Sequence, residues 1–465
     1  MKIRVEIAHI SYIFSLICLF IAFLMVNIAD FGASTGTVIV LLFLLGCFAL
    51  VIFTGYKGIL GKIPTSLFAL LVFLIYFAIS LMMSIYDIDL LISFTVATTG
   101  GVIFAVLCGL ACNICLHKLH IYLTKDLSLV TFARIFTTVL LACTCLFSYQ
   151  ILLNNLANVR ADIFLLSEDT VDYQRPAAFM LMIFVFLCAL VASLVTVSTK
   201  NSKVFVFTNL ALCFVLSAIF MMLSQLIGSN SGLVTILITF VIFTFFILSQ
   251  YLETTRLNQL ASTGFYPIIF SRLGVNLFVY GIICCLVLGL IIYAALLKSG
   301  IDLSVFRIFG FGTGDNSSVN SRMALYDNFL IHLDYSPIFG NMFVDIYTTG
   351  QGSYLHSILS IVPHLGIVGT FLFILLLVLI YRDVTNYRAN MIGLCAQKSF
   401  FVYRLAVITS VLLFCTFSTF FTWIPLWFTL AFLGIIFNLD NNAKRSCVVT
   451  SSIDSVAVKN IYSDV

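Results

Sequence analysis

Residues 357–381 read SILSIVPHLGIVGTFLFILLLVLIY, a run without a single Asp, Glu, Lys or Arg. A helix of that length and apolarity can cross the roughly 30 Å hydrocarbon core of a bilayer. The rest of the chain repeats the pattern. Hydrophobic residues make up 62% of the 465, charged residues only 9%, and mean hydropathy is +1.17. Soluble domains are roughly 45–50% apolar. Solid apolar blocks exclude a β-barrel, whose strands show short alternating segments. The expected fold is an all-α integral membrane protein.

The apolar runs predict about twelve transmembrane helices, near 10–28, 36–54, 64–83, 91–115, 128–152, 177–197, 205–227, 232–250, 274–297, 357–381, 401–421 and 424–438. The first run lacks a small-residue cleavage site and reads as a helix, not a signal peptide. The last two, joined around Trp423, can be partitioned in other ways. Residues 1–438 read as one polytopic membrane domain, and 439–465 as a disordered cytoplasmic tail.

Basic residues orient the bundle, since Lys and Arg accumulate on the cytoplasmic side. Lys2, Arg4, Lys57, Lys62, Lys118, Lys125, Lys200, Lys203, Arg256, Arg272, Arg382, Arg388, Lys398, Lys444, Arg445 and Lys459 all fall in one set of connections. Arg134 and Arg404 lie a few residues inside spans entered from that face, where long side chains can snorkel back. Only Arg160, Arg175, Lys298, Arg307 and Arg322 fall on the other side. Both termini are therefore expected to be cytoplasmic, with outer loops at 153–176 and 299–356.

The net charge of +4 reflects this asymmetry. The basic residues form no patch, so nucleic acid is not an expected partner. The fourteen cysteines cluster in spans or on the cytoplasmic side, and no Cys/His spacing suits zinc. Asp87-Ile88-Asp89 resembles a metal-binding pair of carboxylates, but a solvated turn explains it. Neither a metal nor a cofactor is expected. The spans show no internal repeat and no matched pair of broken helices, which weakens a secondary-transporter reading.

Chemistry concentrates in the largest outer loop, between the ninth and tenth spans. Ser299–His356 holds Arg307, Arg322 and His356 among five aspartates, and loops held by rigid elements commonly carry function. Gly310–Asn320 is rich in Gly, Asn and Ser and reads as a turning segment. Ser321–Leu333 has apolar residues at helical spacing and predicts a short amphipathic helix on the membrane surface or packed on the bundle. Asn320 or Ser321 would cap it, placing Arg322 in its first turn, where an anion would meet both free N–H groups and the guanidinium. Ser336-Pro337 would end it and Gly340-Asn341 would turn the chain. His332 and Asp334 are expected to face solvent, and Trp423 and Trp427 to be interfacial anchors.

Arginine chelates phosphate oxygens and stays charged, whereas histidine accepts protons near neutral pH. Arg322 and His356 converging at the membrane surface would suit displacement of a lipid diphosphate by a hydroxyl. Arg322 is equally compatible with pairing to Asp327 or a lipid phosphate, and His356 with a helix-capping role.

The order Ser321-Arg322, Ser336-Pro337-Ile338-Phe339-Gly340, Ser353-Tyr354-Leu355-His356-Ser357 and His364-Leu365-Gly366-Ile367-Val368-Gly369 resembles the O-antigen polymerase/ligase family. These are multi-span enzymes of bacterial envelope polysaccharide assembly, with a large outer loop before a late span. The resemblance covers residues 205–438 in arrangement and 320–370 in motif. It implies a glycosyltransferase of the bacterial inner membrane with its active loops on the periplasmic face. It also implies a polyprenyl-diphosphate-linked glycan as donor and a partner protein that sets chain length. By the same likeness, Arg322 contacts the donor diphosphate and His356 assists the attacking hydroxyl. Arg160, Arg175, Arg307, Asn230, Tyr354 and His364 are candidate substrate contacts.

Within the family, the serine after His356 and a second outer loop bearing Arg160 and Arg175 resemble polymerases of lipid-linked repeat units. A ligase transferring glycan to lipid A core stays open, as does a transporter of polysaccharide or lipid-linked glycan. One departure stands out. Where family members often carry Ser-Arg-Gly, residues 228–232 read Gly-Ser-Asn-Ser-Gly. Arg160 or Arg175 would have to supply that charge, or Asn230 a weaker contact.

Overall fold

A computed structural model describes residues 64–84, 101–103, 105–110, 112–113, 174–197, 210–211, 213–215, 217–221, 224, 230–260, 317–350, 355, 357–390, 395–418 and 421–436. Among the described residues every regular element is helical and there is no strand. The chain divides into two compact units, Ala69–Gly434 and a second made of Met1–Phe68 with Ile435–Val465. Nearly all of the helical elements, and the candidate site, belong to Ala69–Gly434.

The helices are α1 Thr65–Met83, α2 Gln174–Val197, α3 Asn230–Leu260, α4 Ser317–Tyr335 and α5 Val344–Thr348. A 3-10 turn at Ile358–Ser360 leads into α6, Ile361–Asn390. Then come α7, Cys395–Ser418, and α8, Ile424–Thr429, which runs on as a π-helical turn over Leu430–Gly434.

Two of these segments, Thr65–Met83 and Ile358–Asn386, are long and apolar enough to cross a membrane. Their side chains divide by face. On α1, Leu70, Phe73, Phe77 and Leu81 are buried while Leu71, Ile75, Ile79 and Met82 are exposed. On α6, Leu376, Ile380 and Val384 are buried while Ile367, Phe371, Ile374 and Val378 are exposed. Both stripes follow the three-to-four spacing of a helix. In water each exposed apolar face would cost about 25 cal/mol per Å². In hydrocarbon it costs nothing. The stripes therefore match a membrane setting.

The expected tenth span is not one straight helix, because Gly366 breaks α6 with φ 67° and ψ −173°. The expected span at 424–438 is also revised. Its helix ends at Gly434, and eleven residues reach only about 16 Å, well short of a bilayer.

Packing explains why α8 is short yet buried from Pro425 to Thr429. Trp427 stacks on Phe73 of α1, with ring centroids 5.0 Å apart, and meets Phe373 of α6 edge-on at 5.8 Å. Phe73 and Phe373 are themselves 5.9 Å apart, closing a triangle of rings. Such pairs contribute about 0.5–1.5 kcal/mol each beyond area burial. The Trp427 indole N–H donates to the Phe421 carbonyl at 2.8 Å. The expectation of Trp427 as an interfacial anchor is therefore corrected: its polar edge is satisfied inside the protein, so it needs no water.

Arg404 is corrected in the same way. It is buried on α7, with Nη2 donating to Asn113 Oδ1 at 3.0 Å and to the Phe432 carbonyl at 3.2 Å. Asn113 Nδ2 donates in turn to the Ala431 carbonyl at 3.2 Å. Ala431 and Phe432 lie in the last turn before the helix ends at Gly434, where carbonyls have no partner further along the helix. Internal acceptors thus hold a guanidinium that the sequence suggested would snorkel.

Candidate functional site

α4 carries Arg322, but begins at Ser317, four residues before the expected start. Both expected caps, Asn320 and Ser321, therefore fall inside the helix. Arg322 falls in the second turn of α4. The free N–H groups of the helix start belong to the residues before it. The end of the helix agrees with the sequence: Tyr335 is its last residue, and Ser336-Pro337 leaves it.

The chain then turns sharply. Gly340 N–H donates to the Ser336 carbonyl at 2.9 Å, and Gly340 has φ 73°, a conformation open to glycine at little cost. This turn lies directly against the break in α6. Ile367 N–H donates to the Pro337 carbonyl at 2.9 Å and Val368 N–H to the Ile338 carbonyl at 3.2 Å. Asn341 N–H donates to the Pro363 carbonyl at 3.0 Å. The first N–H groups of a helix have no partner within it. Here the turn supplies those partners to the helix that restarts after Gly366.

Neither glycine can carry a side chain. A Cβ on Gly340 would strike the backbone of His364 and Gly366, and a Cβ on Gly366 the backbone of Ile338 and Gly340. A third element locks the pair from α1. The Tyr76 hydroxyl lies 2.8 Å from the Leu365 carbonyl and 3.1 Å from the Phe339 carbonyl, one proton shared between two acceptors. Two of the four motif fragments, Ser336–Gly340 and His364–Gly369, thus form a single junction.

Beyond it, Met342 N–H donates to Ser84 Oγ at 3.0 Å, pinning the chain to the end of α1. Asn341 Oδ1 accepts from Phe343 N–H at 2.8 Å, just before α5. His332, in the last turns of α4, is completely buried rather than solvent-facing. Its Nε2 lies 2.7 Å from Thr349 Oγ1, tying α4 to the end of α5. Its Nδ1 is buried with no hydrogen-bond partner among the described residues. The helical stripe of Met323, Leu325, Phe329, Leu330 and Leu333 gave no sign of this, because the buried face is set by what α5 covers. Asp334, two residues further along the helix, is exposed as expected.

Burial lowers the pKa of His332 below its ordinary 6.5, and the nearby Asp345 carboxylate opposes the shift without reversing it. His364 faces the bundle, with Nδ1–H donating to the Ser360 carbonyl at 2.7 Å and its ring against Phe421. Ser357, one residue after His356, is buried; its Oγ donates to the Thr416 carbonyl at 2.6 Å and accepts from Leu359 N–H.

Among the remaining candidates, Arg175 is the second residue of α2 and Asn230 the first of α3. His356, Tyr354, Arg160 and Arg307, with Asp87 and Asp89, lie outside the described residues. No family model, curated protein or solved structure matches this chain.

Two outcomes are expected from this geometry. Gly366→Ala would combine a left-handed backbone with overlap onto Ile338 and Gly340, at a cost of about 3 kcal/mol or more. Membrane yield or thermal midpoint should fall sharply; an unchanged midpoint would contradict the junction. The second concerns pH. A histidine held neutral by burial takes up its proton less readily than in the unfolded chain. Its contribution is intact above pH 6.5 and is lost as pH falls below that value. The thermal midpoint in detergent should decline on acidification, and His332→Gln should flatten part of that decline; equal slopes would exclude the effect.

Proposed function

We propose that this chain is a polymerase of lipid-diphosphate-linked oligosaccharide repeat units, acting on the outer face of a bacterial inner membrane. In this reading about twelve spans place both termini in the cytoplasm and loops 153–176 and 299–356 outside. Arg322 stabilises the departing polyprenyl diphosphate, and His356 takes the proton of the attacking sugar hydroxyl. The bond from the donor's anomeric carbon to its phosphate oxygen breaks as the new glycosidic bond forms. Charge aimed at the leaving group usually contributes most in such chemistry, and the base adds a factor of roughly 10²–10⁴.

The observation that carries the proposal is the junction. Four short motif fragments, in order, give the likeness to the O-antigen polymerase/ligase family, and two of them interlock through backbone hydrogen bonds with glycine at each contact. A degenerate coincidence of short fragments has no reason to interlock. The asymmetry of basic residues supports the topology, and the exposed apolar stripes on α1 and α6 support immersion in lipid.

A second reading, a transporter of lipid-linked glycan, draws support from one observation. Arg404 is an ionisable group buried in the bundle beside a π turn, and such groups mark transport pathways. A lipopolysaccharide gel from a strain lacking the protein separates the readings. One repeat unit on core is the polymerase result. Core without O-antigen indicates a ligase or an exporter, and a normal ladder refutes all three.

Within the polymerase reading, Arg322→Ala and His356→Ala should each abolish long-chain polysaccharide at unchanged protein level. Ladders of normal length in either variant would remove that residue from the mechanism.

A further inference from the structure

Helical rise turns the hydrogen bonds of the junction into a depth gauge. Met342 N–H reaches Ser84, one residue past the end of α1, whereas the Phe339 carbonyl reaches Tyr76. Ser84 and Tyr76 are eight residues apart, about 12 Å at 1.5 Å per residue. The Tyr76 side chain tilts toward the start of α1, which carries its hydroxyl deeper still. The α6 side gives the same answer. Asn341 bonds Pro363, while Pro337 and Ile338 bond Ile367 and Val368. Ile367 and Val368 lie further along the span from its start at Ile358 than Pro363 does. From Phe339 to Asn341 to Met342, the chain climbs steadily toward the end at which α1 finishes and α6 begins.

The tip of this excursion points away from the protein. Ile338 and Phe339 are 57% and 60% exposed. Their neighbour across the junction, Ile367, is exposed too, and heads the stripe continuing through Phe371, Ile374 and Val378. We propose that Ser336–Met342 is a re-entrant hairpin whose tip, Ile338 and Phe339, sits among the acyl chains of the bilayer leaflet on the side of Ser84 and Ile358. This placement requires that α1 and α6 span the membrane, and does not depend on the proposed reaction.

Three features of the hairpin suit that environment. Non-helical backbone at membrane depth must satisfy its polar groups within the protein. The carbonyls of Ser336, Pro337, Ile338 and Phe339 and the N–H groups of Gly340 and Asn341 find partners there, and the N–H groups of Ile338 and Phe339 have none among the described residues. Pro337 has no N–H to satisfy. Two large apolar side chains left open to water would cost about 1.5–3 kcal/mol each relative to burial, whereas acyl chains remove that cost. Asp334, exposed one turn above the tip, limits the immersion: its carboxylate keeps water, so the turn enters hydrocarbon while the rest of α4 stays near the interface.

Tryptophan placed at the tip tests the inference in the full-length protein. The wild type carries only Trp423 and Trp427, so its emission, measured in parallel, is subtracted. Phe339→Trp is reconstituted in nanodiscs of ordinary or acyl-brominated phosphatidylcholine, with Tyr326→Trp, thirteen residues earlier on α4, as the comparison. The expected result is at least twofold stronger quenching of the added Phe339→Trp emission by brominated lipid than by aqueous iodide. Tyr326→Trp should show the reverse preference. Iodide quenching of Phe339→Trp with no effect of brominated lipid would overturn the proposal. Should Phe339→Trp fail to elute as a monodisperse species, Ile338→Trp reports on the same tip with the same criteria.

Discussion

The constraint on which the described part of the loop depends is the approach of two backbones at Gly340 and Gly366, where neither residue has room for a Cβ. Each has a positive φ, and each sits where its neighbour's main chain passes. The contact exchanges one set of hydrogen bonds for another. Gly366 interrupts α6, and the N–H groups stranded by the interruption are bonded by Pro337 and Ile338. An unpaired N–H in a low-dielectric setting costs on the order of several kcal/mol. The break and the turn are therefore mutually dependent.

Much of the loop's geometry comes from that dependence. The turn fixes where α4 ends, and Tyr76 and Ser84 of α1 fix where the turn sits. From Met342 the chain enters α5, and His332 joins the end of α5 back to α4. The segments that carry or flank Arg322 and His356 thus start from positions fixed against the two apolar helices. For the proposed roles of Arg322 and His356 such support matters, because misplacement by an ångström can cost about two orders of magnitude in rate.

Burial of polar groups is where sequence reasoning lost ground. His332 and Asp334 are two residues apart in a weakly amphipathic helix, and both looked solvent-facing. Only the tertiary fold sets α5 over one of them. Arg404 followed the snorkelling rule by its position in the sequence, yet its acceptors are Asn113, far away in the chain, and the Phe432 carbonyl near the end of the π turn. Trp427 looked like an interfacial anchor until Phe73 and Phe373 enclosed it. In each case the deciding partner is distant in the chain, and hydropathy along the sequence carries no record of it.

Other features were legible because they are local. The 64–83 span coincides with α1, and the end of α4 at Ser336-Pro337 reflects proline's missing N–H and fixed φ. The turn at Gly340-Asn341 reflects glycine's tolerance of positive φ. The sequence by itself determined a helical, apolar chain with a polar loop, since composition and periodicity respond to solvent one residue at a time. What only the tertiary structure decided is that two motif fragments separated by a stretch of loop meet backbone to backbone. That meeting depends on long-range hydrogen bonds and on the absence of two side chains, and its physical meaning exists only once both segments share the same space.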